Sequence, residues 1–100
     1  MDDCDFLRVL EGVIDDRIRT RRQGSYTYSL YVGGVSLISK KVGEEAVEVA
    51  VAAMANDKDW VIRESADLMY HLLVLLRVMG LNLSDVCREL RRRHEGEGSG

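Results

Sequence analysis

The chain has 100 residues, 46% of them apolar, and a formal net charge of −3. That length gives one domain with a small core, and the absence of a basic excess excludes a nucleic-acid-binding footprint. The two cysteines, Cys4 and Cys87, form no CxxC pair and are expected as free thiols in a reducing cytoplasm.

Met1–Asp5 is acidic, unlike the start of a secretory signal. Phe6, Leu7, Leu10, Val13, Ile14 and Ile18 recur with helical period and predict a first helix from Asp3 to Arg21. Its basic end, Arg19, Arg21 and Arg22, suits the negative pole of the helix dipole. Gln23–Thr27 reads as a loop in which Ser25 or Thr27 is a candidate N-cap. A short helical turn over Tyr28–Val32 is expected, interrupted by Gly33–Gly34. Tyr26, Tyr28 and Tyr31 suit the sealing of a core or a dimer interface.

A second long helix is expected from Val35 to Ala55, and Asn56–Asp59 as the turn that caps the next one. At 100° per residue, Ile38, Lys41, Glu45, Glu48, Val49 and Ala52 share a broad face, while Glu44 points about a quarter turn away. The third helix is expected from Asp59 to Met79, with Gly80 just past its end. Trp60, Glu64, Asp67, His71 and Val74 form a stripe along it. Its apolar run Leu68–Leu76 is far short of the ~20 residues of a membrane span. Asn82 or Ser84 caps a fourth helix from Asp85 to His94, and Glu95–Gly100 reads as a flexible tail. The Arg88, Arg91, Arg92 and Arg93 run reads as a solvated helix end, with anion steering as the alternative. No strand pattern appears. The prediction is an all-α bundle of four main helices over residues 1–94, with the second and third helices as an antiparallel hairpin.

Four carboxylates stand out: Glu45 with Glu48, and Glu64 with Asp67, each pair spaced i, i+3 on an apolar segment. Facing across the hairpin, they repel one another and resist desolvation. A bound cation relieves both, and all-oxygen ligands favour Mg²⁺ or Mn²⁺ over zinc. Lys41, one turn before Glu45, could neutralise a phosphate. A solvated acidic face is the plain alternative, weakened by the second pair on the adjoining segment. His71 reads equally as a buried histidine or a catalyst. A di-iron bundle would want Glu-x-x-His on two helices, and neither pair ends in His.

These motifs resemble a known family. Glu44–Glu45–x–x–Glu48 followed by Glu64–x–x–Asp67 is similar to the signature of the all-α nucleoside triphosphate pyrophosphohydrolases, the MazG-like superfamily. Ser25–Tyr26–Thr27, Leu30 and Gly34, the Lys41–Ala46 block, and Asp67–Leu68 with Tyr70–Val74 make the phosphoribosyl-ATP pyrophosphohydrolases of histidine biosynthesis the nearest match, over about Leu7 to Arg93. The resemblance implies Mg²⁺-dependent hydrolysis of phosphoribosyl-ATP to phosphoribosyl-AMP and pyrophosphate by a homodimer. By position it implies Glu45, Glu48, Glu64 and Asp67 as metal ligands and Lys41, Ser25 and Tyr26 as substrate contacts. Glu44 would orient water or serve a neighbouring subunit, and His71 would bind substrate or relay a proton. Family members commonly carry a proline before the Ser25 position, where this chain has Arg22–Gln23–Gly24. Competing expectations are a house-cleaning (d)NTP pyrophosphohydrolase and a non-catalytic helical interaction module.

Overall fold

A computed structural model describes residues 2–97. After a 3-10 turn, Asp3–Asp5, four helices follow: α1 (Phe6–Arg19), α2 (Tyr26–Met54), α3 (Lys58–Val78) and α4 (Leu83–Glu97). The described residues contain no strand, so the all-α expectation holds.

Local chemistry sets the boundaries. Asp2 and Asp5 form a reciprocal capping box around the 3-10 turn, so the first element is a turn plus a helix rather than one helix from Asp3. Arg21, at φ 51°, takes the left-handed conformation that ends α1 two residues before the expected stop. Ser25 caps α2 by accepting from the Tyr28 N–H at 3.2 Å. Helix therefore begins at Tyr26, earlier than expected, and Thr27 is buried inside it instead of capping it. Gly33 stays helical, and Gly34 alone breaks the helix with φ 81° and ψ −179°. An arm, residues 26–33, is thereby set off from the long body of α2. Asn56, at φ 57°, closes α2, and Asp57 caps α3 through the Trp60 N–H at 3.1 Å. Gly80, at φ 78°, closes α3 as expected. Asn82 rather than Ser84 caps α4: its side chain accepts from the Asp85 N–H at 3.2 Å while Asp85 accepts from the Asn82 N–H at 2.9 Å. The expected α4 start at Asp85 thus moves to Leu83. Its far end continues from the expected His94 through Glu95–Glu97, where an Arg91–Glu95 pair lies along the helix. The last three residues of the expected tail lie outside the described residues.

The α2–α3 hairpin forms the main layer and α1 packs across both helices. One cluster joins them: Ile14 from α1, Leu30 and Ile38 from either side of the Gly34 break, and Leu73 and Val74 from α3. Leu7, Leu10, Ile18, Leu37, Val78 and Leu83 pack against it. Arg77 locks the α3–α4 corner with a two-toothed pair to Asp15, both bonds 2.8 Å, and a 3.0 Å bond to the Leu81 carbonyl. Glu11 accepts from the Leu83 N–H at 2.6 Å, so α1 holds both ends of that corner. From there α4 turns 104° away from α3. Among the described residues no single helix is long and apolar enough to cross a membrane.

An added Cβ at Gly34 would meet nothing within 4 Å, so the demand there is purely on the backbone. Its φ and ψ lie in a region essentially reserved for glycine. Gly34→Ala is expected to cost on the order of 1–3 kcal/mol in chemical denaturation, with little change in helical circular dichroism. Losing all three guanidinium bonds, Arg77→Met should cost about 1–3 kcal/mol in the same measurement.

Candidate functional site

The acidic helix faces meet across the α2–α3 hairpin. Glu45 shares the α2 face of Ile38 and Ala52, both fully buried, so its carboxylate points at α3. Glu64 and Asp67 point back from α3. One carboxylate oxygen from each of Glu45, Glu64 and Asp67 lies within 4.8 Å of the other two. Glu45 and Glu64 are half-buried and Asp67 is exposed. Three oxygens so placed can be bridged by one hard cation. Glu48 is exposed and stands outside this trio, so three of the four expected ligands converge.

The electrostatics agree with the geometry. The Glu45 carboxyl is held above its ordinary value, chiefly by desolvation, then by a shared hydrogen bond with Glu64 and repulsion from Asp67 and Glu64. Three close acids strain toward a shared proton, and a divalent cation can take that proton's place.

Beside the trio lies an aromatic group that joins the α2 arm to α3. The His71 Nδ1 lies 2.7 Å from the Asp67 carbonyl oxygen, which can only accept, so Nδ1 carries the proton. With the ring neutral, Nε2 is the acceptor, and the Tyr26 hydroxyl lies 2.7 Å from it, placed to donate. His71 is buried, and it is thus both satisfied and fixed in one tautomer. Tyr70 stacks on Tyr26 with centroids 6.1 Å apart and meets His71 edge-on at 5.3 Å. The Tyr70 hydroxyl bonds to that of the buried Thr27. Burial, then Tyr70 and the nearby acids, push the Tyr26 phenol above its ordinary value.

The remaining expected residues lie around this centre. Lys41 sits 3.8 Å from Glu44, an i, i+3 pair on the rim of the site. Ser25, Tyr26, Ser29 and Val32 line an open depression of about 590 Å³. Ser25 and Tyr26 are therefore structural as well as accessible. Two participants escaped the sequence reading: Thr27, taken for a possible cap, and Tyr70, read only as part of a motif. Their paired hydroxyls are a second polar link between the arm and α3, beside that of Tyr26 with His71. Only the helical register of Thr27, one turn before buried Leu30, hinted at its inward course.

A family model described as phosphoribosyl-ATP pyrophosphohydrolase matches residues 7–94. The phosphoribosyl-ATP pyrophosphatase of Pyrobaculum aerophilum is 60% identical over 90 residues, covering 90% of this chain and 96% of that protein. That of Metallosphaera sedula is 51% identical over 89 residues, covering 89% and 96%. The histidine biosynthesis bifunctional protein HisIE of Vibrio cholerae is 52% identical over 90 residues, which cover 90% of this chain and 43% of that longer protein.

The raised Glu45 carboxyl has a signed consequence for stability. The folded chain binds this proton more tightly than the unfolded chain. The penalty is absent below the ordinary value near 4.5 and grows as the pH rises through the folded value. In chelator, Glu45→Gln should raise the melting temperature by a few degrees near neutral pH, with the gain shrinking toward acid pH. Parallel thermal melts across pH check this.

Proposed function

This chain belongs to the phosphoribosyl-ATP pyrophosphohydrolase family, and on that premise we propose that it hydrolyses phosphoribosyl-ATP to phosphoribosyl-AMP and pyrophosphate in histidine biosynthesis. The observation that carries the reading is the convergence of Glu45, Glu64 and Asp67 across the hairpin. Hydrolysis of a phosphoric anhydride needs phosphate charge neutralised, water placed in line and the leaving pyrophosphate stabilised.

Glu45, Glu64 and Asp67 are the proposed ligands of Mg²⁺, with Mn²⁺ as a substitute. Glu48, exposed and free to rotate, is the outer and weaker fourth ligand. When bound, the cation supplies neutralisation of phosphate charge and acidifies coordinated water. Lys41 contacts phosphate from the rim, and Glu44, tethered by Lys41, orients the attacking water. Ser25 and Tyr26 touch the substrate from the depression at the start of the arm. His71 fixes the Tyr26 hydroxyl and offers an imidazole at the site through which a proton can pass.

We further propose a homodimer. Val47, Val51 and Met54 leave one exposed apolar stripe on α2, and Ile62, Met69 and Leu72 leave another on α3. The radius of gyration, 15.0 Å, exceeds the roughly 13 Å of a compact 100-residue domain. A second copy covering both stripes supplies the missing half of the core. Two free thiols and a nucleotide substrate suit the cytoplasm.

Side-by-side assays should give turnover of phosphoribosyl-ATP well above a panel of (d)NTPs; a preferred dNTP would overturn the substrate. Glu64→Gln is expected to cost more than about 100-fold in kcat and to abolish the rise in melting temperature on adding Mg²⁺. Glu48→Gln should weaken Mg²⁺ binding less. A wild-type chain that turns over none of these nucleotides and binds no Mg²⁺ in their presence would favour a non-catalytic module. Leu72→Asp should give monomers in sedimentation, and a folded dimeric variant would count against the interface.

A further inference from the structure

Far from the acidic trio, a cleft between α1 and α4 is walled by Arg8, Arg88 and Arg91, with Ser84 and Cys87 as its neutral floor. We propose that this cleft binds a small phosphate-class polyanion, with inorganic pyrophosphate as the fitting probe. Its volume of about 230 Å³ lies below the roughly 300 Å³ at which pockets for drug-sized ligands begin. It equals several waters at about 30 Å³ each, enough for one or two phosphate groups and too little for a whole nucleotide.

The charge in the cleft is left over by the fold. One turn before Arg8, Asp5 is occupied by the Asp2 N–H at 3.1 Å. One turn after it, Glu11 is occupied by the Leu83 N–H at 2.6 Å. Arg8 accordingly forms no ion pair among the described residues. Arg88 and Arg91 each have one exposed partner along α4, Asp85 at 3.2 Å and Glu95 at 3.6 Å. Arg92 and Arg93 differ, because both are held by Glu89 at 2.7 and 2.9 Å. Three arginines from two helices thus line the cleft, and no carboxylate among the described residues lines it with them. Planar, multidentate donors of this kind match phosphate oxygens.

From Asp67 to Val78 is 11 residues of helix, about 16 Å, and the cleft lies beyond that end. Within one chain it is a separate site, and its assignment does not rest on the hydrolase reading. The shared chemistry is a diphosphate group, free or belonging to a nucleotide seated on a partner copy.

The test uses the full chain with Cys4→Ser, leaving Cys87 as its single thiol, in chelator and at fixed ionic strength. Calorimetry with inorganic pyrophosphate should show saturable binding, and pyrophosphate should slow alkylation of Cys87 where chloride does not. Arg8→Gln should weaken binding by about tenfold or more, as expected for lost charge-assisted hydrogen bonds. Arg92→Gln, outside the cleft, should leave it unchanged. Absence of saturable binding, equal protection by chloride, or equal weakening by Arg92→Gln overturns the proposal. With Mg²⁺ restored in place of chelator, steady-state kinetics separate the sources: a raised KM for phosphoribosyl-ATP in Arg8→Gln assigns the cleft to a nucleotide's diphosphate, and an unchanged KM to the free anion.

Discussion

Repulsion among Glu45, Glu64 and Asp67 is the constraint around which the molecule is arranged. Three carboxylate oxygens within 4.8 Å of one another oppose the pairing of α2 with α3. What holds them is apolar packing on either side of the trio along the same faces. Ile38 and Ala52 bracket Glu45 on α2, and Val74 lies about two turns beyond Asp67 on α3, all three fully buried. The helices are long enough that burial above and below outweighs like-charge repulsion in the middle. Such a site stores part of the free energy of folding as affinity for a cation.

Much of this was legible in the sequence because helical phase is local information. Glu45 stands seven residues from both Ile38 and Ala52, so all three share a direction within about 20°. The same count does not separate Glu48: it stands three residues from Glu45, as Asp67 does from Glu64, yet only Asp67 joins the trio. Pairing the two acids as equals treated neighbours on a face as neighbours in space. The convergence of Glu45 with Glu64 and Asp67 followed from the short Asn56–Asp57 turn, which leaves an antiparallel hairpin as the simple outcome.

What the sequence could not yield are contacts between distant residues and dihedral angles. Tyr26 reaches His71 across 45 positions, Thr27 reaches Tyr70 across 43, and Arg77 reaches Asp15 across 62. No periodicity encodes these pairs. Gly33 and Gly34 read alike as breakers, yet only Gly34 has positive φ. The difference matters, because the break sets the direction of the arm that carries Tyr26. The corner at Asn82 was likewise ambiguous until the reciprocal bond with Asp85 distinguished it from Ser84.

The Tyr26–His71 link ties these levels together. His71 donates to the backbone carbonyl of Asp67, one of the three converging acids, and accepts from a tyrosine in the first turn of α2. The start of the arm and the backbone of Asp67 are thereby in register through one ring. Because His71 is buried, loss of the Tyr26 hydroxyl would leave Nε2 without a partner, at a cost of about 1–3 kcal/mol. The second link, Thr27 to Tyr70, repeats the connection one residue along each helix. Two adjacent polar links across an apolar seam fix the rotation of the arm, which hydrophobic contact alone leaves loosely specified. Placement of the tyrosine beside the acids is therefore a property of the fold before any substrate arrives.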